Sequence, residues 1–263
     1  MNISIAVAAH KQYPMPNDSM YLPIQVGAAL HRNNLGFQTD NAGDNISDRN
    51  GHYSELTALY WLWKNSDAEY KGLAHYRRHF GTTHVFRRVF SRNRLDTIAT
   101  KQDVEHLLEQ TSIIVPRKRH YYIETIYSHY AHTMDARQLD DTREILSRDY
   151  PEYLPAFDRV MASRSAHLFN MFIMESRLVN DYCSFMFSVI SKLEEDIGYR
   201  DLDTFQARYP GRISERLLDV WLLTKGYHYT ELPVVSTERV NWWKKGTSFL
   251  CAKFVGTTYK ASF

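Results

Sequence analysis

Short apolar runs alternate with longer amphipathic segments along the chain. The run from Ile3 to Ala9 contains β-branched residues and predicts the first strand of a sheet. Three further runs have the length and composition of buried strands: 70–74, 112–116 and 168–174. Three longer segments have apolar residues at helical spacing: 53–65, 178–195 and 213–222. Strands that alternate with helices in this way indicate an α/β fold, in which helices flank a sheet.

Two stretches follow neither period. Residues 82–100 are basic and irregular, and they predict a loop that is either a flap over an anionic ligand or a solvated segment. Pro210 and Gly211 predict a turn before the helix at 213–222. Ser214 is then expected to cap that helix.

A run dense in Asp, Asn and Gly occupies residues 39–51 and predicts turns. Such turns hold backbone amides open for a ligand. Asp44, Asn45 and Asn50 would either bind a ribose or diphosphate or form an exposed turn that caps the next helix.

Polar side chains follow the predicted strand at 70–74: His75, Tyr76, Arg77 and Arg78. Residues that end a strand of an α/β sheet lie at its carboxyl edge, where such folds bind ligands. Two adjacent guanidinium groups suit a phosphate or diphosphate, because each fork pairs with two oxygens. His10 follows the first strand and is expected at the same edge, where a base or ribose binds. The alternative is a strand end with a solvated basic loop.

Two later segments contain candidate polar groups. Glu215 and Asp219 are four residues apart, so they share a face of the predicted helix, whereas Arg216 is expected to point elsewhere. Asn170 lies inside the apolar run at 168–174, and a buried amide needs hydrogen-bond partners. Asn170 is therefore either a structural clamp or a substrate contact.

Several other polar residues have competing interpretations. His129 and His132 are three residues apart and share a helix face, which permits a metal pair, but no third ligand is near in sequence. Asp140 lies near a predicted helix start, where an acid usually serves as a cap. Glu55 lies in the first turn of the helix at 53–65, where a structural role competes with a ligand role.

The composition is that of a globular protein. The chain has 263 residues, of which 44% are hydrophobic. Its net charge is +2, so it lacks the strong positive electrostatic field that is typical of nucleic-acid-binding proteins. Cys183 and Cys251 suggest neither a disulfide framework nor a metal motif, and Cys183 is expected to be a buried thiol. Because the chain has no signal-peptide pattern and no apolar run near about 18 residues, we predict a cytoplasmic protein.

We predict one large domain over residues 1–240 and a basic aromatic tail over residues 241–263. The tail mixes aromatic residues with lysines, and no acid follows Glu238. Such a tail would lie on an anionic surface as a peripheral contact with the inner membrane, pack on the core, or bind a partner chain.

Five sequence blocks resemble one bacterial family, and they occur in the expected order: Asn41–Ser47, Glu55–Trp61, Gly72–Arg78, Phe169–Met174 and Ser214–Trp221. This family is called domain of unknown function 4422. Its members occur in capsule, O-antigen and exopolysaccharide gene sets and look like glycosyltransferases of the GT-A type. The resemblance implies a GT-A-like mixed sheet flanked by helices. It also implies sugar transfer from a nucleotide-activated donor, which for some relatives is UDP-galactofuranose.

The resemblance suggests roles for the strand-end and helix residues. Cations must stabilise the nucleoside diphosphate as it leaves, and Arg77, Arg78 and His75 are the candidates. An inverting enzyme transfers the proton of the acceptor hydroxyl to a carboxylate. Glu215 is the first candidate for this base and Asp219 is the second.

Other residues are expected to contact the sugars. Asn170 resembles the Asn of GT-A sheets that faces the donor sugar, and His132 and Asp140 are candidates for contacts with acceptor or donor hydroxyl groups. The implied partners are a UDP-sugar donor and an acceptor, which is a growing surface polysaccharide or a lipid-linked oligosaccharide.

GT-A enzymes usually carry an Asp-x-Asp motif at the end of a central strand, where it holds a divalent metal on the diphosphate. In this sequence the stretch 75–78 occupies that place, and the literal motif at 201–203 lies in a polar loop. Either His75 binds Mn²⁺ or Mg²⁺ together with a distant carboxylate, or the arginines neutralise the diphosphate without metal.

Two rival functions remain open. One is a non-catalytic protein that binds a nucleotide or a sugar without the metal motif. The other is an interaction protein of a polysaccharide-assembly complex, which would use the tail at 241–263.

Overall fold

The structure, a computed structural model, describes residues 1–238 of the chain. The strands in this range are β1 (Ile3–Ala9), β2 (Tyr21–Gln25), β3 (Gln38–Thr39), β4 (Tyr70–His75), β5 (Arg78–Phe80), β6 (Ile113–Pro116), β7 (Arg119–His120), β8 (Ser165–Ala166), β9 (Phe172–Glu175), β10 (Thr230–Leu232) and β11 (Val234–Ser236). The helices are α1 (Asn50–Tyr53), α2 (Leu56–Asn65), α3 (Val85–Phe90), α4 (Lys101–Leu108), α5 (Ile126–Ala131), α6 (Arg137–Asp149), α7 (Leu154–Ala162), α8 (Ser176–Ile197) and α9 (Tyr209–Lys225).

The central sheet has the strand order β10-β6-β9-β4-β1-β2-β3, and β5 and β11 extend it beside β4. Strand β1 pairs in parallel with β2 and β4, whereas β9 is antiparallel to β4 and β6. The carboxyl ends of β1, β4 and β6 therefore share one edge, and the residues just before β9 lie at that edge too. The predicted mixed sheet flanked by helices is confirmed.

Both faces of the sheet are covered, which explains why its central strands are continuous apolar runs. In β1, Ala6 and Ala8 pack into a core cluster with residues of α2, α8 and α9. Ile5 and Val7 point to the opposite face and pack with residues of α4. Helix α8 buries Cys183 completely, as predicted.

Gly72 allows β4 and β9 to approach closely at the centre of the sheet. A Cβ atom at this position would lie 2.6 Å from the carbonyl oxygen of Phe172, so a side chain would push the strands apart. His75 ends the same strand three residues later. The close contact at Gly72 therefore helps to set where that strand end lies.

Helix α9 begins at Tyr209, earlier than the sequence predicted. Pro210 and Gly211, which we interpreted as a turn, lie in its first turn. Proline fits there because the first N–H groups of a helix have no acceptor within the helix. Ser214 therefore lies inside the helix, and the prediction that it caps α9 was wrong.

The prediction of a strand over 168–174 was wrong in its first half. Strand β9 begins at Phe172, and Phe169 and Asn170 have left-handed backbone angles, with φ of 76° and 53°. The apolar composition concealed this turn. Asn tolerates the left-handed region better than most residues, because its short polar side chain can hydrogen-bond locally.

Two other segments also differ from their predictions. Residues 82–100, predicted as a loop, contain helix α3 and a short 3₁₀ turn at Arg94–Thr97. The sequence at 229–235 predicts a single final edge strand, but in the structure Pro233 divides it into β10 and β11, which pair with β6 and β5 respectively. A proline lacks the N–H group that would continue the ladder of hydrogen bonds.

The tail at 241–263 and Cys251 lie outside the described residues. The predicted boundary at residue 240 and the contacts of the tail therefore remain predictions. Within residues 1–238, none of the helices combines the length and the hydropathy that crossing a bilayer requires.

Candidate active site

A cavity of about 410 Å³ opens at the edge of the sheet where β1 and β4 end. His10 lines it from the end of β1, and four residues line it from the β4–β5 hairpin: His75, Tyr76, Arg77 and Arg78. They meet because β1 and β4 are parallel neighbours. The structure thus gathers the strand-end residues that the sequence singled out at the edge where α/β sheets bind ligands.

The wall of this cavity is strongly cationic. Within residues 1–238, the arginines that line it are Arg77, Arg78, Arg119, Arg208, Arg212 and Arg216. In the same range the lining carboxylates are those of Glu55 and Glu215. Such an excess of guanidinium groups fits an anionic ligand with several oxygens, for example a diphosphate.

The two hairpin arginines have different environments. Arg77 pairs with Glu238, with 2.8 Å between Nη2 and Oε2, at a half-exposed position. Arg78 lies over the ring of Phe169, with 4.3 Å between its guanidinium carbon and the ring centroid. Burial lowers the pKa of Arg78, and the carboxylate of Glu215 opposes this shift. Because no carboxylate of residues 1–238 is at ion-pair distance from Arg78, a bound anion would supply its missing counter-charge.

Helix α9 and the residue before it add three arginines to the wall at intervals of four residues: Arg208 precedes the helix, and Arg212 and Arg216 lie within it. Nη1 of Arg216 donates to Oε2 of Glu215 at 2.8 Å and to the carbonyl oxygen of Arg212 at 2.6 Å. The prediction that Arg216 points away from Glu215 was therefore wrong, because the long side chain folds back along the helix. The spacing of four was the signal that would have revealed these arginines.

Asn170 connects Glu55 to helix α9. Its Nδ2 donates to Oε1 of Glu55 at 2.7 Å and to the carbonyl oxygen of Gly211 at 3.1 Å. Its Oδ1 accepts from Oγ of Ser214 at 3.0 Å. Asn170 is buried, and these bonds, here called the Asn170 clamp, satisfy its amide, while its predicted contact with a sugar remains untested. The clamp positions Glu55, which lines the cavity.

Aromatic rings border the cavity beyond the end of β1. Tyr76 stacks on Tyr13 with 4.0 Å between ring centroids, and His10 meets Tyr76 edge-on at 5.0 Å. Burial lowers the pKa of His10, and the cations Lys11 and Arg208 lower it further, so the site favours the uncharged imidazole. Flat, partly polar rings of this kind suit stacking on a nucleobase.

The donor atoms around His75 do not form a metal site. Nε2 of His75 contacts the carbonyl oxygen of Phe169, which requires the proton on that nitrogen. In the described part of the chain, no three His, Cys, Asp or Glu side chains are grouped so that they could hold a metal ion. In that range His75 therefore lacks the group of carboxylate oxygens that Mn²⁺ or Mg²⁺ prefers, and its predicted role as a metal ligand remains untested.

The residues predicted from the turn at 39–51 are separated by the fold. Asn50 lines the cavity, but Asp44 and Asn45 do not. Asp44 accepts from the hydroxyl group of Tyr60 at 3.2 Å, and the amide of Asn45 donates to the carbonyl oxygen of Gly43. Their bonds hold the turn against α2, and their predicted contacts with a ribose or diphosphate remain untested.

The two histidines near α5 share one partner. Nδ1 of His129 and of His132 lie 2.7 and 3.0 Å from the oxygens of Glu124. Burial opposes the ionisation of Glu124, but these two hydrogen bonds lower its pKa overall. His129 lines the cavity and His132 does not, whereas Asp140 accepts from Tyr127 beside a separate cavity. Sugar contacts by His132 and Asp140 thus stay predictions.

Asp219 lies behind the cavity wall and is only 5% exposed. Its carboxylate accepts the backbone N–H of His167 at 2.8 Å and also contacts Nδ1 of that ring. Nε2 of His167 lies 2.9 Å from Oε1 of Glu231. Of the two acids that we predicted as bases, Glu215 lines the cavity, whereas the carboxylate of Asp219 is occupied by buried hydrogen bonds to His167.

We expect the substitution Asp219→Ala to lower the free energy of unfolding by about 1–3 kcal/mol for each hydrogen bond lost, because the backbone N–H and the Nδ1 atom of buried His167 lose their partner. Chemical denaturation monitored by circular dichroism measures this loss. Asp158→Ala is the matched control, since it breaks an exposed pair with Arg143 and should have a much smaller effect. Equal losses in the two variants would contradict the buried role of Asp219.

A solved structure of another protein has a fold similar to that of this chain. A solved structure described as the apo structure of the bifunctional glycosyltransferase WbbM matches with a TM-score of 0.82 and 26% sequence identity. The match covers 91% of this chain and 46% of that chain, so this chain spans about half the length of the protein that it resembles. No curated protein sequence matches the chain.

A family comparison agrees with the resemblance found in the sequence. Residues 4–226 match the family described as Domain of unknown function (DUF4422). This range includes the strand-end residues of the cavity, the Asn170 clamp and all of helix α9. The chain therefore belongs to the DUF4422 family.

Proposed function

We propose that this protein is a glycosyltransferase that uses a UDP-sugar donor and a glycan or lipid-linked acceptor. The observation that carries the proposal is the excess of guanidinium groups over carboxylates in the sheet-edge cavity of the described residues. A nucleoside diphosphate carries the charge and the oxygens that such a wall can pair with. Similarity to a bifunctional glycosyltransferase over most of this chain supports the same reaction class.

The donor would place its diphosphate at the β4–β5 hairpin. There Arg78 has no carboxylate partner among residues 1–238, and Arg77 has a half-exposed one that a ligand can displace. When the bond between the sugar C1 atom and the diphosphate oxygen breaks, the leaving group takes the electron pair. Fixed guanidinium groups stabilise the developing charge without reorganisation, which is the main electrostatic contribution to such a reaction.

The acceptor would lie next to Glu215. In an inverting transfer, the acceptor oxygen bonds to the sugar C1 atom, and its proton goes to a carboxylate. Glu215 lines the cavity through a side chain that is 21% exposed, and it is held by Arg216. Glu55 is the other lining carboxylate of the described residues, and the buried Asn170 holds it from a different segment, whereas Glu215 is held by Arg216 of its own helix. We assign Glu215 as the base, and comparison of the Glu215 and Glu55 variants tests this choice.

The aromatic rings after β1 would hold the nucleobase. Tyr13 and Tyr76 already stack on each other, and His10 lies against the second ring. A uracil ring could extend this stack while Asn50, from α1, faces the ribose side of the cavity. Galactofuranose is our specific proposal for the sugar, and it rests on the family resemblance alone.

The proposed function is tested by a screen of nucleotide sugars, including UDP-galactofuranose and UDP-galactopyranose, for donor hydrolysis and transfer. We expect release of UDP from a UDP-sugar. We also expect activity to persist in EDTA, because the described cavity offers arginines instead of a metal-ligand set. Calorimetry with UDP, with and without Mn²⁺, measures binding separately.

The two assays separate the alternatives. UDP binding without hydrolysis or transfer of any donor would show a non-catalytic binding protein. Loss of all activity in EDTA, restored by Mn²⁺, would overturn the proposal that arginines alone neutralise the diphosphate. Failure of UDP to bind at all would remove the nucleotide from the cavity.

A further inference from the structure

Helix α3 presents its apolar side chains to solvent. Val85, Phe86, Val89 and Phe90 are 65%, 79%, 66% and 74% exposed. They form two pairs with a spacing of four residues, so they make one continuous stripe, here called the α3 stripe. The rings of Phe86 and Phe90 stack with 6.1 Å between centroids.

Helix α3 is oriented opposite to an ordinary surface helix, because a charged side chain faces the protein while the apolar side chains face solvent. Arg87 points to the body of the protein, where Nη1 donates to Oδ2 of Asp103 at 3.1 Å. Its Nη2 donates to the carbonyl oxygens of Asp96 and Ile98. A surface helix of a globular protein normally buries its apolar face and exposes its charged one. An exposed apolar patch of this kind marks an interaction surface.

The charge around the α3 stripe indicates which partner it fits. The segment 82–95 contains four arginines and neither Asp nor Glu, and Arg88 and Arg92 are exposed. The last 25 residues, 239–263, contain one arginine and four lysines and also lack acids. Two segments of the same charge repel each other, so electrostatics disfavours the tail as a cover for the stripe. Both segments instead complement an anionic surface.

Hydrogen bonds connect the α3 segment to the end of the described chain and to the cavity. Nη1 of Arg94 donates to the carbonyl oxygens of Ser236 and Glu238, each at 3.0 Å. The carboxylate of Glu238 pairs with Arg77, which lines the cavity. These contacts therefore connect the segment 82–95 to the end of the described chain, and the end of the described chain to the cavity wall.

We propose that the α3 stripe docks on an anionic phospholipid surface. Phe86 and Phe90 enter the boundary between headgroups and acyl chains, while Arg88 and Arg92 pair with lipid phosphates. The acyl chains of a membrane bind apolar side chains, and its anionic headgroups bind the flanking cations. Neither of these two interactions alone gives stable binding. For a lipid-linked acceptor, which rests on the proposed function, this docking brings the cavity to the surface that carries the acceptor.

Flotation of the full-length protein with vesicles tests the proposal. We expect binding to vesicles that contain phosphatidylglycerol, little binding to pure phosphatidylcholine, and weaker binding at high salt. Phe86→Ser with Phe90→Ser should reduce the partition coefficient by about tenfold per phenylalanine. Arg88→Gln with Arg92→Gln should reduce it by about fivefold per arginine.

A matched control uses exposed apolar residues elsewhere. Tyr122 and Ile123 are 81% and 60% exposed, and Tyr122→Ser with Ile123→Ser should bind vesicles like the unmodified protein. Thermal unfolding confirms that each variant folds. Flotation measures vesicle binding directly, so the result does not depend on glycosyl transfer. Absence of vesicle binding, or an equal loss in the control, would overturn the proposal. Light scattering detects self-association. If the protein self-associates without binding vesicles, and only the Phe86 and Phe90 substitutions abolish this, the stripe would bind a second copy of the chain.

Discussion

Replacing Glu215 by Gln is expected to lower turnover by about 10²–10⁴-fold while UDP affinity stays within a few fold. The amide keeps the size of the side chain, and its oxygen can still accept from Arg216, so the cationic wall is preserved. What disappears is the group that takes the acceptor proton. Steady-state transfer kinetics measure the first effect, and calorimetry with UDP measures the second.

Glu55→Gln is the matched control for this experiment, because it neutralises the other carboxylate that residues 1–238 contribute to the cavity. The new amide oxygen can still accept from Asn170, so the clamp persists and we expect a smaller loss. If the Glu55 variant loses turnover and the Glu215 variant does not, the base has been assigned to the wrong carboxylate. A Glu215 variant with normal turnover would remove this residue from the mechanism.

The second large effect is expected from Arg78→Ala, which should reduce kcat/KM for the donor by about 10²–10³-fold. Arg78 faces the cavity above the ring of Phe169 and, within the described chain, has no carboxylate that already neutralises it. Its charge is therefore available to the leaving diphosphate. Arg78→Lys should recover only part of the loss, because a lysine ammonium cannot pair with two phosphate oxygens in a fork.

Arg159→Ala provides a control of the same chemistry, since Arg159 is exposed on α7 and does not line the cavity. Its kinetics should equal those of the unmodified protein. Measured UDP affinity separates a binding role from a purely structural one: unchanged affinity and unchanged kcat/KM in Arg78→Ala would exclude a diphosphate contact at this position.

Part of the candidate site could be predicted from local sequence. His75 ends a buried strand and Tyr76, Arg77 and Arg78 directly follow it, and a strand end fixes where the next side chains emerge. The role of Asn170 as a clamp was one of two alternatives, because a buried amide must find partners but the sequence does not name them. Its partners are Glu55, Gly211 and Ser214, which lie far from it along the chain.

Other predictions failed for identifiable reasons. Helix α3 was taken for a loop because it has only six residues, less than two turns, and lies within a basic and irregular stretch. Arg216 was expected to point away from Glu215 because adjacent helix residues diverge at Cα, but a long side chain can bend back. Asp219 shared a face with Glu215 in the helical projection, yet His167 covers it.

The sequence by itself determined the central strands and the main helices, because continuous apolar runs and apolar residues at helical spacing each indicate one kind of buried element. The order of its sequence blocks determined the family. The sequence also determined that cations follow β4. Tertiary structure alone decided which charges meet, since Glu55, Arg78 and Glu215 come from separate elements and line the same cavity. Contacts between distant segments depend on how elements pack, and no local pattern encodes that arrangement.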